Sequence, residues 1–333
     1  ASGSIGSSLV SYFSSKNCKV IRAVSNDENG LTELSNKFEN PKKNYISQMR
    51  EKKIRYIYCD INNSEKCNLV TKNIDIVIHA AALKHVPFCE FNPFEATEVN
   101  VIGTINMIKA ALKNNIDKFL FVSTDKVVDP SSCMGATKLL SEKIVTNSNY
   151  LIGDKKTKFS SVRFGNVIFS RGSVVPKFIN NILSNEKLSI TDKSMERYFM
   201  TIKDTSELIT KSLLMMKGGE IFVPANLKIF KILDIVSVLK MIFGKKKIKS
   251  QIIGKRKGEK LFESLISENE FNHTKVVNNI FVINKKINNS KEKYLKIKQK
   301  YKLAKVLDKK SLFNFLKKEI KNLNFQISKI NDD

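Results

Sequence analysis

Lys118-Phe119-Leu120-Phe121-Val122-Ser123-Thr124-Asp125-Lys126 runs from unbroken apolar residues into a hydroxyl, a carboxylate and an ammonium group, and Cys133-Met134-Gly135-Ala136-Thr137-Lys138 follows after a short connection. An apolar run without alternation fits a strand buried on both faces, here 118–124, while apolar residues three and four apart predict a helix over 135–146. The alternation continues outward. Strands are predicted at 20–25, 54–60, 74–81, 159–165 and 220–224, and a second helix at 95–114. Strands buried on both faces and separated by helices imply an α/β fold, a doubly wound parallel sheet. The carboxyl ends of such strands face a ligand crevice, which places Thr124, Asp125 and Lys126 there. Four-residue spacing sets Met134 and Lys138 on one helical face beside them.

The chain opens Ala1-Ser2-Gly3-Ser4-Ile5-Gly6-Ser7, with Leu9, Val10 and Phe13 at helical spacing. Glycines three apart at a helix start let the backbone approach a pyrophosphate, which meets free N–H groups at the positive end of the helix. Gly3, Ser4, Ile5 and Gly6 are therefore candidate cofactor contacts. A dinucleotide fingerprint begins on a strand and an earlier glycine, so a strand ending ahead of Ala1 is expected to complete the sheet. Past the strand at 20–25, Asp27 in Ser25-Asn26-Asp27-Glu28 is late for a ribose contact, which leaves NAD and NADP both open. Asp60, ending the next predicted strand, has two readings, an adenine-edge contact or a strand-end turn residue.

At about 150 residues per domain, 333 residues give about two domains. The regular pattern assigns 1–165, with later strands from about 200–225, to cofactor binding. Less regular loops at 172–185 and 193–201 put the substrate part in 166–199 and 226–333. A hydrophobic fraction of 42% with 21 Phe excludes a disordered chain. Charge is the unusual feature: 58 Lys plus Arg against 32 Asp plus Glu leave +26, which raises nucleic acid or an anionic membrane as partners. Lysines crowd between 285 and 321 on a helix-like pattern whose apolar positions include Tyr294, Leu295, Leu303, Leu307, Leu312 and Phe315. Abundant Asn and Ile along the whole chain point instead to a general bias, and a solvated face on a docked basic helix is the preferred reading. No nucleic acid is expected. No run approaches the ~18 apolar residues of a membrane span, so a cytoplasmic, soluble chain is expected. Five scattered cysteines show neither a disulfide framework nor a zinc spacing, and no metal is expected.

Seven blocks in order carry a resemblance: His79-Ala80-Ala81-Ala82-Leu83-Lys84-His85-Val86, 123–126, 134–138, Arg163-Phe164-Gly165-Asn166-Val167, Ser170-Arg171-Gly172-Ser173-Val174, 195–201 and 254–260. Together they span about residues 1–270 and resemble the UDP-N-acetylglucosamine 4,6-dehydratases, nucleotide-sugar enzymes of capsule and glycan biosynthesis in the extended short-chain dehydrogenase/reductase superfamily. The resemblance implies a Rossmann cofactor domain, a tightly bound and recycled NAD or NADP, a UDP-sugar substrate and a homo-oligomer. In that family hydride leaves sugar carbon 4 for the nicotinamide, water is eliminated across carbons 5 and 6, and the hydride returns to carbon 6.

Carried onto this chain, the resemblance makes Asp125 the acid for the departing carbon-6 hydroxyl and Lys126 the base for carbon 5, with Thr124 positioning the 4-hydroxyl. An ammonium must lose its proton to act as a base, which a water-poor site favours and a neighbouring carboxylate opposes. The superfamily's usual helix motif is Tyr followed four residues later by Lys; here Met134 holds the tyrosine place, and a thioether is no base. Met is typical of one branch of these dehydratases, where Asp125 or a water takes over that proton transfer. Lys138 keeps the nicotinamide ribose, and Ala80, Ala81 and Ala82 join Asp60 as cofactor neighbours. Arg256, with Lys260, is assigned to the substrate diphosphate and Glu259 to a ribose hydroxyl, and Lys84, His85, Asn166, Arg171 and Arg197 are further substrate candidates. The Met-Gly-Ala-Thr-Lys wording resembles the branch that retains configuration at carbon 5. A carbon-5-inverting dehydratase or a 4-epimerase on the same fold stays open.

Overall fold

The computed structural model describes residues 1–38, 53–226, 228–304 and 306–331, side chains beyond 322 aside. Positions 227, 305, 332 and 333 of the part assigned to substrate lie outside the described residues. Elements alternate through the first half: α1 (Ser4–Ser14), β1 (Ile21–Ser25), α2 (Glu28–Asn36), β2 (Ile54–Tyr58), α3 (Ser64–Thr71), β3 (Ile76–His79), α4 (Val86–Phe91), α5 (Pro93–Thr97), α6 (Gly103–Lys113), β4 (Lys118–Val122), α7 (Cys133–Asn147) and β5 (Lys158–Val162). The second half adds β6 (Asn166–Val167), α8 (Val174–Leu183), β7 (Leu188–Ile190), β8 (Glu196–Met200), α9 (Ile202–Met215), β9 (Ile221–Pro224), β10 (Lys228–Lys231), α10 (Ile232–Ile242), β11 (Ser250–Ile252), β12 (Thr274–Val277), β13 (Ile280–Ile283), α11 (Lys291–Lys302) and α12 (Lys309–Asn331).

All the predicted strands form, and the main sheet runs in the order β12-β13-β9-β5-β4-β3. Strands β3, β4, β5 and β9 are parallel, as predicted. The edge differs, since β13 and β12 pair antiparallel as a hairpin turning through Asn278 and Asn279 at positive φ. Asparagine tolerates that left-handed turn better than most residues. β1 and β2 form a separate parallel pair.

Strand β4 explains its own unbroken apolar run. Leu120 and Val122 join a core with Leu9 of α1 and Ile209 and Leu213 of α9, whereas Phe119 and Phe121 join a second core with Met107 and Ile108 of α6 and Val145 of α7. Each phenylalanine buried there contributes about 1.5–3 kcal/mol relative to exposure. A helix layer therefore covers each face of the sheet.

Three sequence expectations need correction. The loop expected at 172–185 is mostly helix α8, because Val175, Phe178 and Ile182 fall on one face and bury against α10 and α12. The loop expected at 193–201 contains β8, which pairs with β6 and β10. The single helix expected at 95–114 is α5, a π-helical turn at Glu98–Ile102 and α6, with Asn100 of that turn buried. The lysine-rich end is two helices, one ending at Lys302 and the next starting at Lys309: Leu312 and Leu316 dock into the core while Leu295 and Leu303 stay exposed. No helix among the described residues is long and apolar enough to cross a membrane.

Candidate active site

Beyond β4 the chain is pinned by main-chain bonds from Ser123 N–H to the Val162 oxygen (2.8 Å) and from Asp125 N–H to the Phe164 oxygen (3.1 Å). A 3-10 turn, Asp125–Val127, follows and is capped by Thr124. Asp125 is wholly buried. Its Oδ1 accepts from Thr124 Oγ1 at 3.0 Å and from Lys126 Nζ at 2.9 Å, and its Oδ2 is buried with no partner among the described residues. Buried polar atoms without partners are few in folded proteins and mark places where a ligand or function is owed an account.

Sequence reading missed a second carboxyl here. Glu263 Oε1 lies 3.9 Å from Lys126 Nζ. Burial pushes its carboxyl above the usual range, Lys126 pulls it down, Asp125 raises it again, and Arg197 and Lys260 lower it. Its only sequence signal is a carboxylate close behind the 254–260 block.

Helix α7 meets this turn closely. Its N-cap, Ser132, accepts from Gly135 N–H at 3.1 Å, and a Cβ on Gly135 would sit 2.5 Å from the Lys126 oxygen. Met134 is buried with Cys89 and Ala96. Lys138 is buried too, its Nζ donating to the Val122 oxygen at 2.7 Å and lying 3.8 Å from the centre of the Phe121 ring. Burial brings the Lys138 ammonium down to about 7, against the pull of Glu142. Asn100, also missed, clamps the loop after β3 to α7: Oδ1 accepts from Leu83 N–H (2.8 Å), and Nδ2 donates to the Leu83 oxygen (3.1 Å) and to Thr137 Oγ1 (3.0 Å). Ala80 and Ala81 on that loop are exposed and Ala82 half-buried.

Arg163, immediately after β5, is buried between two carboxylates. It donates to Glu142 at 2.8 and 2.6 Å and to Glu270 at 2.8 Å twice, and reaches the Leu265 oxygen at 3.1 Å. This ties β5, α7 and the segment that carries Glu263 together.

Near the start of the chain, α1 begins at Ser4 with no side-chain cap. A Cβ on Gly6 would come within 2.5 Å of the Ala1 oxygen, while one on Gly3 would enter open space. Ile5 packs inward against the core around Leu9. Arg171 N–H donates to Ser4 Oγ at 2.7 Å, its Nη1 to Asp27 Oδ2 at 3.1 Å, and Lys84 Nζ donates to the Arg171 oxygen at 2.7 Å. Gly172, at φ +73°, lies against His85, where a Cβ would be 2.6 Å from Cε1. The structure thus groups Lys84, His85 and Arg171 beside Ser4 at the start of α1, and no hydrogen bond links them to Asp125 or Lys126 among the described residues. Asp60 does not end a strand: β2 stops at Tyr58, and Asp60 Oδ1 accepts from Asn62 N–H at 2.9 Å as a turn residue.

The 254–260 block divides. Arg256 is exposed, and its main-chain N–H donates to Glu259 Oε2 at 3.2 Å. Lys260 Nζ donates to the Val128 oxygen at 2.8 Å. Arg197 is buried and commits its guanidinium to the main-chain oxygens of Glu196 (2.7 Å), Leu261 (2.9 Å) and Lys260 (2.7 Å), so it shapes this loop from beneath. Asn166, on β6, is half-buried with Oδ1 unpartnered among the described residues.

Comparison with known proteins fits this architecture. Residues 1–285 match the family described as Polysaccharide biosynthesis protein. A UDP-N-acetylglucosamine 4,6-dehydratase (inverting) of Campylobacter jejuni is 38% identical over 235 residues, 70% of this chain and 69% of that protein. A UDP-glucose 4-epimerase of Rickettsia bellii is 37% identical, covering 84% of this chain and 80% of that one. Pen from Bacillus thuringiensis superposes with a TM-score of 0.84 at 34% identity, over 95% of this chain and 94% of its own. Solved nucleotide-sugar dehydratases and epimerases at 19–22% identity, with TM-scores of 0.64 to 0.68, share the fold. With a match over residues 1–285 and a fold shared with nucleotide-sugar dehydratases and epimerases, the chain belongs to the polysaccharide-biosynthesis family.

Proposed function

We propose that the chain is a nucleotide-sugar 4,6-dehydratase that converts UDP-N-acetylglucosamine to its 4-keto-6-deoxy product. The observation that carries this reading is the pairing of buried Asp125 with half-buried Lys126 just past β4, with one carboxyl oxygen left unpartnered among the described residues. Elimination of water needs one acid and one base at adjacent carbons, and this pair supplies both groups. Met134, buried where an epimerase of this superfamily has its tyrosine, supports the same choice.

NAD or NADP fits the crevice: the first turn of α1 has no side-chain cap, and the space beside Gly3 that a Cβ would fill is open. A bound nicotinamide would supply the hydride chemistry, acceptance from carbon 4 and return to carbon 6. The Gly3–Gly6 amides would hold its pyrophosphate and Lys138 its ribose, within a cofactor part at 1–165 completed by strands near 200–225. Thr124 positions the 4-hydroxyl, Lys126 takes the carbon-5 proton, and Asp125 protonates the departing hydroxyl. Met134 leaves the 4-hydroxyl proton to Asp125 or a water. Arg256 and Glu259, on the substrate part, receive the diphosphate and a ribose hydroxyl of UDP. Exposed Phe91 and Phe94 beside α4 support a homo-oligomer.

A second reading, a UDP-sugar 4-epimerase, is favoured by the Rickettsia relative. Incubation with UDP-N-acetylglucosamine and NAD in deuterated water, followed by mass and NMR analysis, separates them. Loss of one water with deuterium at carbon 5 is expected; inversion at carbon 4 with no loss of water makes the protein an epimerase.

A further inference from the structure

Glu263 is the buried carboxyl that these steps leave unused. Its side chain is 4% exposed, and Lys126 Nζ at 3.9 Å is beyond hydrogen-bond length. Its Oε2 is buried without a partner among the described residues. Facing it are Lys126 and Asp125 from the turn after β4, Arg197 from β8 and Lys260 from its own segment. The donors of these cations are directed elsewhere: Lys126 Nζ to Asp125, Lys260 Nζ to the Val128 oxygen, Arg197 to three main-chain oxygens. The segment is held firmly, because Tyr301 of α11 accepts from Leu265 N–H at 2.8 Å and meets Ser264 Oγ and the Tyr198 hydroxyl at 3.2 Å each. With Oε2 withdrawn from water and given no hydrogen bond, the carboxylate is the expensive state and the protonated carboxyl the accessible one.

We propose that Glu263 is a positioning residue of the acid–base group, which carries its own carboxyl proton while Asp125 and Lys126 stay paired and so lets one proton pass between them. The inference rests on the dehydratase reading and deepens it. With Glu263 neutral, transfer of a proton from Lys126 Nζ to Asp125 Oδ1 breaks an N–H bond, forms an O–H bond and leaves the electron pair on nitrogen. The products are a neutral amine and a carboxylic acid, the base and the acid that elimination requires, and the 4-hydroxyl proton then goes to a water. Net charge in the buried group does not change. An ionised Glu263 would hold the ammonium on Lys126 and oppose that transfer.

Infrared spectra of the full chain without substrate test the proton assignment. The wild type minus Glu263→Gln difference at neutral pH is expected to carry a protonated-carboxyl C=O band; carboxylate bands alone overturn the proposal. Should the glutamine variant fail to fold by circular dichroism, Glu263→Asp replaces it, and the band is expected to shift in frequency without turning into carboxylate bands. Kinetics test the role: Glu263→Ala is expected to lower kcat by about tenfold or more, Glu263→Gln to restore it to within about threefold, with the alkaline limb of the pH profile moved upward. A glutamine variant as inactive as the alanine one overturns the proposal. A carboxyl band without loss of water from UDP-N-acetylglucosamine in the wild type leaves the proton assignment standing and removes the dehydratase reading.

Discussion

Lys126 Nζ lies 2.9 Å from Oδ1 of the adjacent Asp125, so a carboxylate and an ammonium group share one hydrogen bond inside a single 3-10 turn. Neighbours in sequence reach each other in this way because the turn reverses the chain just past β4, and the main-chain bonds to Val162 and Phe164 keep the turn in place.

Replacement of Asp125 by Asn keeps its shape and removes its acid. Loss of water from the sugar is expected to fall by about 10²–10⁴-fold. Circular dichroism checks that the fold is intact, and product NMR reads the rate. Turnover within tenfold of wild type would show that Asp125 is not the acid.

The glycines predict contrasting outcomes. A Cβ at Gly3 meets nothing, so Gly3→Val is expected to leave the melting temperature alone while weakening NAD binding, read by calorimetry. A Cβ at Gly135 meets the Lys126 oxygen at 2.5 Å, so Gly135→Ala is expected to destabilise by about 1–3 kcal/mol, read by urea unfolding, and to lower kcat. Equal melting temperatures for the two variants would refute the contrast.

His79 sets an acid limit on stability. It is buried, with Nε2 3.0 Å from Thr104 Oγ1, and burial, reinforced by Lys138 and the N-terminal amine, lowers its imidazolium from 6.5 to about 3. Between those values the unfolded chain binds a proton that the folded chain refuses, so stability falls as pH drops through this window, by up to about 1.4 kcal/mol per pH unit. His79→Gln keeps a hydrogen-bonding amide and is expected to flatten this loss in urea unfolding at a series of pH values. Parallel curves for variant and wild type would rule the histidine out.

Arg163 predicts a large structural cost. Its removal leaves Glu142 and Glu270 buried around an absent cation, and Arg163→Met is expected to destabilise by about 3–5 kcal/mol. Adding Glu142→Gln is expected to recover part of that loss, because one unpaired charge is gone. Denaturant unfolding of both variants measures it, and a single mutant within 1 kcal/mol of wild type would contradict the account.

The sequence by itself determined the parallel strands, the helix start at Gly3–Gly6 and the polar end of β4, because periodicity and turn chemistry act between residues a few positions apart. It also placed Thr124, Asp125 and Lys126 together, since one strand end carries all three. Only the tertiary structure decided what surrounds them. Glu263 reaches Lys126 across the fold, Arg171 closes on Ser4 and Asp27, and Arg197 turns its guanidinium into a loop instead of a crevice. Each of these contacts depends on where the packed layers bring distant segments, and the burial of Glu263 Oε2 without a hydrogen-bond partner among the described residues exists only once those layers have closed.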